Sequence, residues 1–122
     1  MMRAVWRGTV IAEAPRTRVV EGNHYFPPEA LREEYVTNSS TWTLCPWKGI
    51  ARYFTVTVDG VTNRDAAWYY PHPSPLARRI KNHVAFWNGV TVECQPEGTR
   101  QGIARRVVAW LGATMARCDG RL

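Results

Sequence analysis

Cys45-Pro46-Trp47-Lys48-Gly49 gathers the most reactive residue types of the chain into one short run. A lysine ammonium close to a cysteine favours the thiolate, which is the nucleophilic form. Pro46 and Gly49 bend the chain around that pair, and Lys48 is then placed to stabilise negative charge that develops in a reaction. The competing reading is a core cysteine beside a packing tryptophan, because free cysteine is among the most buried residue types. A second cluster, Glu21-Gly22-Asn23-His24-Tyr25-Phe26-Pro27, sets an acid, an amide and an imidazole where a strand is expected to give way to a loop. Functional residues concentrate in loops, and an unperturbed imidazole exchanges protons near neutral pH, so His24 suits a general base. Equally, His24 and Asn23 can serve only to hydrogen-bond the loop closed. If the protein is an enzyme, the catalytic candidates are His24, Cys45 and Lys48.

Asp65-Ala66-Ala67-Trp68-Tyr69-Tyr70-Pro71-His72-Pro73 runs three aromatic residues in succession. In a strand, successive side chains point to opposite faces, so Trp68 and Tyr70, or else Tyr69, must look toward solvent, a groove or a partner. Together with Asn23, the residues Tyr25, Trp47, Trp68, Tyr70 and Trp87 are the candidate lining of a ligand pocket, in which a few polar groups converge among apolar walls. The same aromatics also serve as half-buried covers over a small core. A pocket exists only if folding gathers the segments around residues 24, 47 and 69 into one neighbourhood. His24, His72, His83 and the cysteines have no close pairing in sequence, so no metal site is expected. Phosphate-binding glycine loops are absent as motifs, and no cofactor is specified. Arg52, Arg64, Arg78, Arg79 and Lys81 interleave with aromatics in a way that suits base stacking beside cations, but a solvated face explains the pattern better, and nucleic acid is not the expected partner.

Taken in order, Trp6-x-Gly8, Glu21 to Pro27, Cys45 to Gly49, Asp65 to Pro71 and Val84-Ala85-Phe86-Trp87-x-Gly89-Val90 resemble the domain of unknown function family 427 over about residues 4–93. The resemblance implies a mainly β domain of bacterial and fungal type with no established activity. A nucleotidyltransferase-like label sometimes attached to that family finds no support in these residues. Paired carboxylates at metal-binding spacing are missing, and so is a phosphate loop.

The elements that must position these residues read as mainly β, a meander or sandwich-like body with short helices. Thr9–Ala12 and Thr17–Glu21 alternate as short strands around Ala14-Pro15-Arg16. Ile50–Val58 is a longer strand that runs into Asp59-Gly60, a pair suited to a type I′ hairpin, with Val61–Asn63 returning. His83–Trp87 and Val90–Cys94 flank Asn88-Gly89, the other strong hairpin signal. Short helices are expected from Pro28 to Glu34 and from Ser74 to Lys81, where proline fits the first turn. Trp-x-Gly recurs at residues 6, 47 and 87, which raises a duplicated unit as against chance. Beyond Gln95-Pro96-Glu97-Gly98, the residues Ile103, Val107, Trp110 and Leu111 keep helical spacing, so residues 1–95 form the β domain and 96–122 a helical extension beside it.

A chain of 122 residues fits one domain. Net charge is +6, and residues 95–122 hold half of it, with 5 Lys/Arg against 2 Asp/Glu, so the body is only mildly basic. Three cysteines without a C-x-x-C pair speak against a disulfide framework and for a reducing compartment. No apolar run approaches a membrane span, and a cytoplasmic location follows as the expectation. The leading functional reading is a small-molecule-binding or catalytic domain with an aromatic-lined pocket. The alternative is a non-enzymatic interaction module that binds protein or nucleic acid through an aromatic and basic surface. Oligomeric state is not legible.

Overall fold

The computed structural model describes residues 1–95. Nine strands follow in order: β1 (Met2–Trp6), β2 (Thr9–Ala14), β3 (Arg18–Val20), β4 (Asn23–Tyr25), β5 (Val36–Cys45), β6 (Gly49–Val58), β7 (Val61–Tyr69), β8 (Val84–Phe86) and β9 (Thr91–Cys94). They form three antiparallel sheets in the orders β2-β1-β9, β3-β4 and β5-β6-β7-β8. The mainly β expectation holds for the described residues, and the only helical elements among them are short 3-10 turns.

Asp59-Gly60 closes the β6-β7 hairpin with φ of 52° and 75°, as expected of a type I′ turn. Other sequence expectations fail for identifiable reasons. Ala14-Pro15-Arg16 does not join two paired strands; β2 pairs with β1 across Arg7-Gly8, and the proline segment carries the chain to the next sheet. Asn88-Gly89 does sit in a tight turn, with the Val90 N–H on the Trp87 carbonyl at 3.2 Å. Its flanking strands are not partners, because β8 pairs with β7 while β9 pairs with β1. The turn is instead tied to β7, where the Asn63 side-chain amide donates to the Asn88 carbonyl at 2.9 Å. A helix over Pro28–Glu34 is replaced by two 3-10 turns, Pro28–Ala30 and Glu33–Tyr35. Between them the Arg32 N–H is taken by the Ile11 carbonyl at 2.9 Å, and Leu31 bridges Ala12 as a strand would. The expected helix near Ser74–Lys81 is the 3-10 segment Pro75–Ile80, broken at Ala77. The C-terminal helix and the extension over 96–122 lie outside the described residues.

The β5-β6-β7-β8 sheet has a core on each face, and strand alternation assigns them. Phe54, Ala67 and Phe86 lie opposite one another across β6, β7 and β8 and face the β2-β1-β9 sheet, where Ile11, Ala4 and Phe26 fill the larger core. Phe54 stacks on Tyr69 at 4.7 Å, and Phe26 meets Phe86 edge-on at 5.6 Å. Tyr53, Trp68 and Ala85 share the opposite face and pack with Tyr25, Tyr70, Ala77 and Ile80 beneath the β3-β4 hairpin. The first face runs on, past its core, into the end of the β5-β6 hairpin, where Trp42, Leu44 and Ile50 are exposed.

Candidate functional site

The loop Pro46–Lys48 connects β5 to β6, with Cys45 paired to Gly49 at its base. Gly49 has φ +115°, and a Cβ there would stand 3.3 Å from the His72 carbonyl oxygen. Only glycine fits both conditions without strain. The 72–74 segment is clamped onto this loop, since the Ser74 N–H donates to the Lys48 carbonyl at 2.9 Å and the Ser74 hydroxyl donates to the Trp47 carbonyl at 2.5 Å. These bonds fix the direction of Lys48, whose side chain runs inward.

Lys48 is 6% exposed, which is rare for a lysine unless a partner holds the charge. Its ammonium pairs with the Glu21 carboxylate and stands over two ring faces, Trp47 at 5.2 Å and Tyr70 at 5.6 Å. The other Glu21 oxygen accepts from the Trp47 indole N–H at 3.3 Å. Desolvation pulls the Lys48 pKa down, but the hydrogen bond to Glu21 and the nearby Tyr25, Cys45 and Glu21 charges outweigh it, so the net shift is upward. Glu21 is held below the usual carboxylate range, by Lys48 first and Trp47 second. The pair is therefore ionised throughout the neutral range, and Lys48 is a fixed cation rather than an amine nucleophile.

Tyr25 is fully buried, and its hydroxyl accepts the Trp68 indole N–H at 3.2 Å. Its ring meets Trp68 edge-on at 6.2 Å, and Trp68 meets Trp87 in the same way at 6.1 Å. Burial raises the Tyr25 and Tyr70 pKa values, so both phenols stay protonated and neither is a base. Cys45, half-buried with a free thiol, packs against the Tyr25 and Tyr70 cluster.

The segments around residues 24, 47 and 69 do meet, but not all of their residues face the same way. Across the β3-β4 hairpin, Val19 opposes His24 and Arg18 opposes Tyr25. Alternation then puts Tyr25 on the inner face and His24 on the outer one. There the His24 Nδ1 is 2.7 Å from the Thr17 Oγ1. Asn23 pairs with Val20 beside the turn. A groove of about 950 Å³ borders this hairpin, lined by Arg16, Thr17, Arg18, Glu21, Arg79 and His83 among others. None of Tyr25, Trp47, Trp68, Tyr70 and Trp87 lines it, nor do Cys45 and Lys48. Trp68 packs edge-on between Tyr25 and Trp87, and Trp47 and Tyr70 flank Lys48, while Trp47 and Trp87 remain partly exposed.

The sequence model of a Domain of unknown function (DUF427) matches residues 1–97. The chain belongs to this family. No curated protein matches it.

In this DUF427 domain the residue that sequence reasoning undervalued is Glu21. It occupies the first central position of the β3-β4 turn at φ 54°, with Gly22 at 78°. Asn, Asp or Gly takes that left-handed conformation more cheaply than Glu, so placing this carboxylate there carries a backbone cost. The signal was available in Glu21-Gly22 as a turn pair, and it was obscured by reading the segment as a strand end. Asp65 was also missed as an organiser, being φ 55° and accepting from the Thr41 hydroxyl at 2.7 Å while its carbonyl accepts the Trp87 indole N–H at 2.6 Å. The Asp65 carboxyl is held below its ordinary pKa, first by hydrogen bonding from Ser39 and then by that from Thr41. Thr17, Arg79 and His83 come from distant segments with no shared motif. Among the described residues, no helix is long and apolar enough to cross a membrane.

Proposed function

We propose that this DUF427 domain binds a small molecule in the groove beside the β3-β4 hairpin, with the aromatic cluster around Lys48 as the rigid backing of that site. The observation that carries the reading is the double engagement of Glu21. Its residue lines the groove, while its carboxylate is fixed from behind by Lys48 and Trp47. A side chain held in one place at the edge of a concavity is the usual way a protein prepares a polar contact for a ligand. The groove volume of about 950 Å³ also falls within the range of small-molecule sites.

Binding is favoured over covalent chemistry because Cys45 and Lys48 face the cluster and do not line the groove. The test is to denature the purified protein and identify released small molecules by mass spectrometry, then to melt the native protein against a panel of such compounds. A released or added compound raises the Tm of the wild type and loses that effect in Thr17→Val, which changes the groove wall without touching Lys48. If nothing is released and no compound shifts the melt, the reading is lost.

A further inference from the structure

Resting on that reading, we infer that the groove takes a phosphate monoester of a small organic molecule, held by Arg16, Arg18 and Arg79. The groove carries cationic charge that has no ionic partner among the described residues. Among the described residues the ion pairs are Arg3 and Arg32 with Glu13, and Lys48 with Glu21, so none of the three groove arginines meets a carboxylate. Glu21 lines the groove, but its charge is already answered by Lys48. Glu29 alone then opposes three guanidinium groups, which leaves a surplus of two positive charges. A phosphate monoester carries roughly −1.5 to −2 at neutral pH, which matches that surplus.

Geometry points the same way. The Arg79 Nη2 donates to the Val19 carbonyl at 3.3 Å, which moors the guanidinium across the groove to β3 and leaves its other N–H groups for a ligand. Planar guanidinium forks match phosphate oxygens in pairs of parallel hydrogen bonds. His83 lines the groove, and its Nδ1 lies 2.9 Å from the Lys81 carbonyl; since a carbonyl only accepts, Nδ1 bears the proton and Nε2 is not engaged in that bond. Val19 and Pro27 add apolar wall beside the arginines, and the groove is far larger than a phosphate ion, so room remains for an organic body.

The experiment is calorimetric titration of the full-length protein with glycerol 3-phosphate and with inorganic phosphate, using glycerol as the uncharged counterpart. Glycerol 3-phosphate is expected to bind saturably at one site and glycerol not at all. Arg18→Gln and Arg79→Gln are each expected to weaken binding at least about tenfold, equivalent to about 1.4 kcal/mol. Arg64→Gln, an exposed arginine on β7 outside the groove, is expected to leave binding unchanged, and the Tm of each variant checks that it folds. The proposal is overturned if neither phosphate probe gives saturable heat up to about 10 mM, which is weaker than the millimolar range of affinity. Equal losses in Arg64→Gln and Arg79→Gln also overturn it, since diffuse charge then suffices. An uncharged molecule released from the purified protein and competing for the groove removes the phosphate assignment while leaving the small-molecule reading intact. Tight binding of a single-stranded oligonucleotide that falls steeply with salt and displaces the phosphate probe overturns it in favour of nucleic acid.

Discussion

The Glu21 and Lys48 pair makes opposite demands on its two members. Lys48 is buried, so removing Glu21 strands a cation among aromatic rings, whereas replacing Lys48 with a long apolar side chain removes the burden altogether. Glu21→Gln is therefore expected to lower the Tm, and Lys48→Met to leave it unchanged or raise it, in matched thermal melts. The pair also sets a pH window. Because the folded-state pKa of Glu21 lies below its ordinary 4.5, its contribution is complete above that value and is lost as pH falls through the lower one. Because that of Lys48 lies above its ordinary 10.5, its contribution is complete below that value and is lost as pH rises through the higher one. Urea midpoints measured across acid pH are expected to fall less in Glu21→Gln than in the wild type. Tyr25→Phe leaves the Trp68 indole N–H without its acceptor and is expected to cost about 1–2 kcal/mol in urea unfolding.

Elements hold these residues in register through turns more than through strand length. Gly49 is the sharpest case, with a positive φ and a carbonyl at 3.3 Å from any added Cβ. Gly49→Ala is expected to destabilise by about 2 kcal/mol in equilibrium unfolding, because the 46–49 loop and the 72–74 segment must separate to accept it. Local chemistry made such turns readable. Asp59-Gly60 named its hairpin correctly, and the run of β-branched and aromatic residues over Ile50–Val58 marked β6. By contrast, β5 opens with Val36-Thr37-Asn38-Ser39-Ser40-Thr41, an edge strand with no apolar alternation to reveal it. Asn88-Gly89 gave away a turn but not the partners of its strands, since sheet membership is decided by where distant segments pack. The same limit applies to the site. Tyr25, Cys45, Lys48, Trp68 and Tyr70 were legible as neighbours because each sits in a dense local motif, while the groove joins residues 16–21 to Arg79 and His83 through tertiary contact alone.

At the scale of the whole molecule, the first and last described strands lie side by side. Met2 opposes Cys94 across β1 and β9, and the Gln95 N–H donates to the Met1 carbonyl at 2.7 Å. Met2 and Ala4 from β1 and Val92 and Cys94 from β9 all pack in the larger core.

Trp47 is 38% exposed, shares Glu21 with Lys48 and so lies one side chain away from the groove. Indole emission responds to nearby charge, which gives the domain a built-in optical reporter. Any occupant that draws on the Glu21 carboxylate alters the field at that ring, and the change in light output, absent in Trp47→Phe, reads occupancy without a label.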